Sequence, residues 1–275
     1  VKPVVTRIAV LTRPDGRNEG LATRLRTAGW QVHVWPALSI ERIEAGPGDT
    51  ATVPLPGDFD LAVFVSGNAA ALYLAQLEAH GMTAWPASCI PAAVGPATAA
   101  RLRASGMLAQ DCRIVHPASD APRHDSEALW DCLVARGPVP SRVLIVRGTD
   151  GRDWLARRLR EHGASVHLHA VYRRVPARWD DGVLAQLAQW AANGSRPAWL
   201  LTSGESIDAV RANVAGAASP AWWQGCRFVL THARLVARLG LSPEPAEQGS
   251  GAGPGQSVRI CAPTEESIFN AFVSG

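Results

Sequence analysis

The chain contains an internal repeat, and a repeat restricts the possible folds more than any other single feature. Arg7-Ile-Ala-Val-Leu, Asp15-Gly-Arg, Leu25, Gly29 and Val32-His-Val return as Arg142-Val-Leu-Ile-Val, Asp150-Gly-Arg, Leu159, Gly163 and Val166-His-Leu. Two further pairs follow in the same order. Leu61-Ala-Val-Phe-Val-Ser-Gly-Asn-Ala is similar to Trp199-Leu-Leu-Thr-Ser-Gly-Glu-Ser-Ile. More faintly, Ala93-Val-Gly-Pro-Ala-Thr-Ala with Leu102 and Gly106 is similar to Phe228-Val-Leu-Thr-His-Ala with Val236 and Gly240. The order is A-B-C-A′-B′-C′.

Within each copy, runs of Val, Ile and Leu alternate with Ala, Leu and Arg stretches at helical spacing, the pattern of βα units around a parallel sheet. Arg7 to Thr12 reads as a strand, Leu21 and Leu25 as one helix face, Gly29 as that helix's end and Gln31 to Trp35 as the next strand. Duplication of such units predicts two similar parallel-sheet α/β domains, which the 275 residues are long enough to build. A cleft between such domains is a standard place for a ligand. Loops are expected at Glu44 to Asp58, Pro117 to Asp125 and Pro243 to Ser257. The Gly249 to Gly255 stretch reads as a flexible surface loop, because its glycine spacing is not that of a dinucleotide fingerprint.

Composition narrows the function. No apolar run of about 18 residues is present to span a bilayer and the N-terminus lacks a signal-peptide pattern, so a cytoplasmic protein without a membrane partner is expected. The five cysteines are scattered and never spaced CxxC, which predicts reduced thiols rather than disulfides or a zinc site. Lys2 is the only lysine, so arginine supplies 26 of the 27 basic residues, and the net charge is only +3. Those arginines are interleaved with acids and accompany no nucleic-acid-binding motif, so a nucleic-acid partner is not expected. No extended heptad or sheet-edge pairing segment stands out, and a monomer is expected.

Chemistry is expected where strands end in small hydroxyl or amide residues just before a helix. These are Thr12-Arg13, Ser66-Gly67-Asn68, Gly95-Pro96 with Thr98, and Thr202-Ser203 with Ser206. Carboxyl ends of strands in open α/β sheets face the ligand crevice, and helix N-termini there present free N–H groups to anions. Plain N-capping selects the same residue types, and at any one site it is the simpler explanation. Tyr172 ends a strand ahead of Arg173-Arg174, where a phenol could serve either as an acid or as a packing residue. His167 and His169 share a strand face but have no evident third partner for a metal. Motifs of serine hydrolases, zincins and P-loop proteins are absent.

Seven pieces in order resemble the uroporphyrinogen-III synthase family, and the resemblance covers Arg7 to Ala271. They are Leu11-Thr12-Arg13-Pro14, Val65-Ser66-Gly67-Asn68-Ala69, Val94-Gly95-Pro96-Ala97-Thr98-Ala99, Ser126-Glu127-Ala128-Leu129, Arg147-Gly148 with Gly151-Arg152, Val171-Tyr172-Arg173, and Leu201-Thr202-Ser203-Gly204-Glu205-Ser206. The resemblance implies interleaved domains, residues 1–36 with 177–275 and residues 44–170, joined by linker strands at 37–43 and 171–176. Unit A would pack with B′ and C′, and A′ with B and C.

The implied reaction is closure of the linear tetrapyrrole hydroxymethylbilane with loss of water and inversion of ring D through a spiro intermediate, without a cofactor or metal. Spontaneous closure leaves ring D uninverted, so the catalyst must steer geometry, and oriented ring closure can draw on about 7 to 11 kcal/mol from proximity. The substrate's carboxylates suit the anion-binding strand ends. The resemblance assigns Thr12, Arg13, Ser66, Asn68, Gly95, Thr98, Ser126, Arg147, Gly148, Thr202, Ser203 and Ser206 to binding, and Tyr172 to protonating the departing hydroxyl. The chain departs from the family in unit C′, where Leu230-Thr231-His232-Ala233-Arg234 replaces a Gly-x-x-Thr-Ala turn, and Thr231 or His232 is the expected substitute. Two other readings fit the fold pattern: a hinged ligand-binding protein without turnover, and a two-domain glycosyltransferase-like enzyme. The first is disfavoured by Tyr172 and the nearly complete motif set, the second by the lack of a nucleotide motif.

Overall fold

The computed structural model describes residues 7–14, 16–43, 53–240 and 257–274. The chain divides into two compact units, Val1–Ser39 with Val175–Gly275, and Ile40–Arg174. The first unit begins with strand β1 (Ile8–Leu11), helix α1 (Glu19–Thr27) and β2 (Gln31–Val34). Through β3 (Leu38–Arg42) the chain enters the second unit, which contains β4 (Leu61–Phe64), α2 (Gly67–Ala79), β5 (Ile90–Ala93) and α3 (Pro96–Arg103). It continues with α4 (Ser126–Val134), β6 (Arg142–Gly148), α5 (Trp154–Glu161) and the long β7 (Ser165–Pro176). The return to the first unit supplies α6 (Asp181–Asn193), β8 (Ala198–Leu201), α7 (Gly204–Ala215), α8 (Pro220–Gln224), β9 (Arg227–Leu230), β10 (Ser257–Ile260) and α9 (Glu265–Val273).

The two parallel-sheet α/β units expected from the repeat are present. The first sheet has the order β10-β9-β8-β1-β2 and the second β3-β7-β6-β4-β5. All four pairings of the first sheet are parallel, as are β4 with β5, β4 with β6, and β6 with β7. Read in the same direction, β2-β1-β8-β9 corresponds to β7-β6-β4-β5. Repeat A therefore pairs with B′, and A′ with B.

Strand composition follows from covering both faces of each sheet, which selects continuous apolar runs. Val10, Trp199, Leu201, Phe228 and Leu230 enter one core of the first unit, and Ala9, Leu11, Ala198, Leu200 and Val229 enter the other. In the second unit Phe64, Leu144 and Val146 face one core, while Leu61, Val63, Val143 and Ile145 face the opposite one. The alternation is the period of two that a strand imposes on its side chains.

Repeat-related helices also stop in the same way. Gly29 and Gly163 follow α1 and α5 with φ of +83° and +88°. Trp30 N–H then donates to Leu25 O and Ala164 N–H to Leu159 O, the hydrogen bonds of a Schellman stop. The third repeat pair diverges. Its copy in the second unit, C, forms α3 after Gly95, whereas in C′ Ala233–Leu239 winds as a 3₁₀ helix that ends at Gly240.

Two backbone hydrogen bonds flank the places where the chain changes unit. Ala177 N–H donates to Ala37 O inside the first unit at 2.9 Å, and Ile43 N–H to Val171 O inside the second at 3.0 Å. Of the expected Glu44 to Asp58 loop, residues 53–58 are described and end in a 3₁₀ turn at Pro56–Asp58. The Pro243 to Ser257 loop lies outside the described residues except for Ser257, and the Gly249 to Gly255 stretch lies wholly outside them.

Candidate functional site

The expected site residues of the second unit converge on the carboxyl ends of β4, β6 and β7. Ser66 follows β4 and caps α2, its hydroxyl accepting the Ala69 N–H at 3.1 Å. The same oxygen shares a hydrogen bond of 3.2 Å with the Tyr172 hydroxyl from β7. Tyr172 is only 3% exposed, and its backbone oxygen accepts the Thr149 N–H at 2.9 Å. The buried phenol is thus fixed at both ends.

Gly148 explains how the ring reaches that position. A β-carbon on Gly148 would stand 2.7 Å from Tyr172 Cε2 and 2.9 Å from Cζ, so only glycine leaves room for the ring in this register. The strand pair is irregular here: Arg147 opposes Ala170, and Gly148 then opposes Tyr172. Arg147 is 9% exposed, donates through Nε to Gly148 O at 3.1 Å and forms an ion pair with Asp153 through Nη1. The Asp153 carboxyl is held below its usual range by that guanidinium.

A cavity of about 140 Å³ opens between these groups, with Ser66, Ser126, Arg147, Arg152, Tyr172 and Arg174 among its walls. Gly148 instead lines a neighbouring open cleft of about 300 Å³. Ser126 begins α4, but the cap is Asp125, whose carboxylate accepts the Ala128 N–H at 2.9 Å. Asn68, Gly95 and Thr98 lie outside the cavity wall. Asn68 is exposed in the first turn of α2, Thr98 is buried in the first turn of α3, and Gly95 caps α3 without a side chain, close against His124.

The strand ends of the first unit use their hydroxyls differently. Thr12 is buried and donates its hydroxyl proton to Leu200 O, joining β1 to β8. Ser203 and Ser206 form a reciprocal capping box at the start of α7, each accepting the other's N–H at 3.1 Å. Ser206 further donates to Ser203 O at 2.7 Å. Thr231 donates to Thr202 O at 3.4 Å, and the exposed His232 ring accepts the Arg234 N–H through Nδ1 at 3.1 Å. His232 is therefore the N-cap of the 3₁₀ turn.

Arg13 half-buries its guanidinium beside Asn18, to whose Oδ1 its Nε donates at 3.4 Å. One of its terminal nitrogens is buried without a hydrogen-bond partner. Burial pushes its pKa down, which Glu265 partly opposes. Asn18 in turn donates to Arg13 O at 2.8 Å, so the arginine and the loop brace each other.

Sequence reasoning missed the carboxylates that set the site's charge. Asp153 neutralises Arg147, and Glu127 holds Arg152 through two hydrogen bonds of 2.6 and 3.1 Å. Glu127 lies 25 positions from its partner, a spacing that carries no signal. It also missed Arg174, for which a signal existed: position 174 falls on the strand face of Tyr172, two residues earlier.

Two parallel-sheet units with capped helices, the second with a buried tyrosine at the carboxyl ends of its strands, define a duplicated α/β protein with strand-end sites. A family model described as Uroporphyrinogen-III synthase HemD matches residues 19–241, and the chain belongs to this uroporphyrinogen-III synthase family of cyclising lyases. It is 28% identical to the uroporphyrinogen-III synthase of Salmonella typhimurium and 27% identical to that of Escherichia coli K12, each time over 82% of this chain and 88% of the relative. Among solved structures it is similar to uroporphyrinogen-III synthetase from Helicobacter pylori, at 14% identity and a TM-score of 0.49 over 98% of this chain and 99% of that one. A mutant uroporphyrinogen III synthase from Thermus thermophilus matches at 15% identity and a TM-score of 0.47, over 88% and 94% of the two chains.

Proposed function

We propose that the protein, as a cytoplasmic monomer without a cofactor, cyclises hydroxymethylbilane to uroporphyrinogen III with loss of water and inversion of ring D. The observation that carries this reading is the Tyr172 hydroxyl, buried beside Ser66 on the wall of a cavity that also holds Ser126 and Arg147. Family membership supports the reaction class.

Tyr172 is the acid. Its proton passes to the ring A hydroxyl as the carbon–oxygen bond breaks; water departs, and the pyrrole nitrogen's electrons complete an azafulvene cation. Ring D attacks through its substituted carbon, the resulting spiro intermediate fragments, and the ring recloses inverted. The proton released when the last pyrrole regains aromaticity returns to the phenolate. A positioned acid contributes about 10²- to 10⁴-fold.

Ser66 suits this cycle because its oxygen already accepts the Ala69 N–H, leaving its own proton for the phenolate oxygen. The phenol also stands at the N-terminus of α2, whose partial positive charge favours the developing negative charge. Arg13, Asn68, Gly95, Thr98, Ser126, Arg147, Thr202, Ser203, Ser206 and His232 are assigned to the substrate-facing surface. Thr12 and Gly148 are assigned to holding that surface in shape. Residues 37–43 and 171–176 are assigned as linkers between domains of residues 1–36 with 177–275 and 44–170, supported by the changes of unit at Ser39/Ile40 and Arg174/Val175.

The test is to incubate the protein with freshly generated hydroxymethylbilane, oxidise the products and separate the uroporphyrin isomers. Dominant type III product is expected; type I at the spontaneous rate rejects the proposal in favour of a binding protein without turnover.

A further inference from the structure

The cavity beside Tyr172 has on its wall one arginine that no carboxylate pairs with among the described residues. Three arginines line it, Arg147, Arg152 and Arg174, against one carboxylate, Asp150, which accepts a hydrogen bond from the Thr149 hydroxyl. Arg147 is neutralised by Asp153 and Arg152 by Glu127. Arg174 has neither a hydrogen bond nor an ion pair among the described residues. Its neighbour Arg173, on the opposite strand face, is paired with Glu41 at 2.9 Å.

Strand geometry then fixes where the Arg174 charge sits. Side chains two apart share a face and their α-carbons lie about 7 Å apart. Arg174 therefore stands on the same wall as the Tyr172 phenol, exposed where Tyr172 is buried. A free guanidinium is shaped to take a carboxylate through two parallel N–H donors. A ligand that puts a reacting hydroxyl against the phenol has its neighbouring substituents within reach of position 174.

We infer that Arg174 is a specificity-determining residue that binds a carboxylate side chain of the substrate pyrrole whose hydroxyl Tyr172 protonates. The inference rests on the synthase reading above and adds to it the group that selects a carboxylated substrate at the reacting ring. Arg147 and Arg152, already paired, hold the wall; Arg174 reads the ligand. Its loss weakens binding more than turnover, since a carboxylate distant from the breaking bond is bound alike before and during reaction.

The experiment compares wild type with Arg174→Ala, Arg174→Lys and, as a control for charge alone, Arg173→Ala. Hydroxymethylbilane kinetics and uroporphyrin isomer ratios are measured, with melting temperature as the check on folding. Arg174→Ala is expected to raise KM about 10- to 100-fold, the equivalent of one charged hydrogen bond, with kcat within about threefold. Arg174→Lys should recover part of the loss, and Arg173→Ala should change KM less than threefold. An unchanged KM in Arg174→Ala, or an equal rise in Arg173→Ala, overturns the inference. Should wild type itself make no type III isomer, the synthase reading fails separately. Tryptophan quenching by the octacarboxylate uroporphyrin then decides: weaker binding by Arg174→Ala alone upholds the carboxylate contact, and equal binding by all variants overturns it.

Discussion

The two sheets share an order of strands but spend the hydroxyls at their carboxyl ends on different tasks. In the first unit Thr12 ties β1 to β8, Ser203 and Ser206 cap each other, and Thr231 binds the Thr202 carbonyl. In the second, Ser66 caps α2 and has capacity left for the Tyr172 phenol. The N-caps of α1 and α5 show the same divergence. Asn18 and Asp153 occupy equivalent places in the repeat, and each engages an arginine from the preceding strand end. Asparagine gives Arg13 no ion pair from the cap and leaves Glu265 to oppose its burial, whereas aspartate neutralises Arg147. The repeat thus keeps one scaffold in both units, while the residues at its strand ends and caps differ in what they bind.

The largest test of this contrast is Tyr172→Phe. It keeps the ring that Gly148 accommodates and removes only the proton, so kcat should fall about 10²- to 10⁴-fold while the product stays type III. Turnover equal to wild type would make the second unit's strand end no different in kind from the first's. Gly148→Ala comes next, because a methyl group 2.7 Å from the ring forces the phenol off Ser66. A stability loss of about 1 to 3 kcal/mol by denaturant titration is expected, together with reduced kcat. Equal stability and activity would show that the ring has slack.

In the first unit, Thr12→Val should cost about 1 to 3 kcal/mol, since the Leu200 carbonyl loses its buried donor, and leave KM for hydroxymethylbilane near wild type. A KM effect without a stability effect would reverse the division of labour. The smallest effect concerns pH. His169 is half-buried against Tyr73, bonds to Gln76 at 2.8 Å, and is pushed down to about 4 by burial and by His167. The unfolded chain binds this proton near pH 6.5 and the folded one only near 4, so the stability it supports is complete above 6.5 and declines as pH falls toward 4. His169→Gln should flatten the fall in melting temperature across that window; an unchanged slope would assign the fall to other groups.

That there are two similar sheets was legible because the repeat wrote the same strand, glycine stop and strand twice; which unit pairs with which came from the family resemblance. The strand-end hydroxyls were legible as a set but not in their individual uses. Thr12 and Ser66 look alike in sequence, and only the register of β1 against β8 turns Thr12 inward. Ser126 drew attention where Asp125 does the capping, since one residue separates a cap from the first helical turn. The ring-to-glycine fit of Tyr172 and Gly148 depends on a local irregularity between β6 and β7 that no spacing rule announces.

The division of the chain also dictates an order of manufacture. Ile40–Arg174 is one continuous stretch, so it can complete its sheet while the ribosome is still at work. The opening β1 and β2 have no such option: β1 must await β8, whose first residue lies 190 positions behind Ile8. During that interval Ile8 to Leu11, apolar throughout and destined for the interior of a sheet, has only β2 to pair with and keeps its other edge open. Until β8 emerges, the edge left open belongs to the very strand that is best hidden at the end.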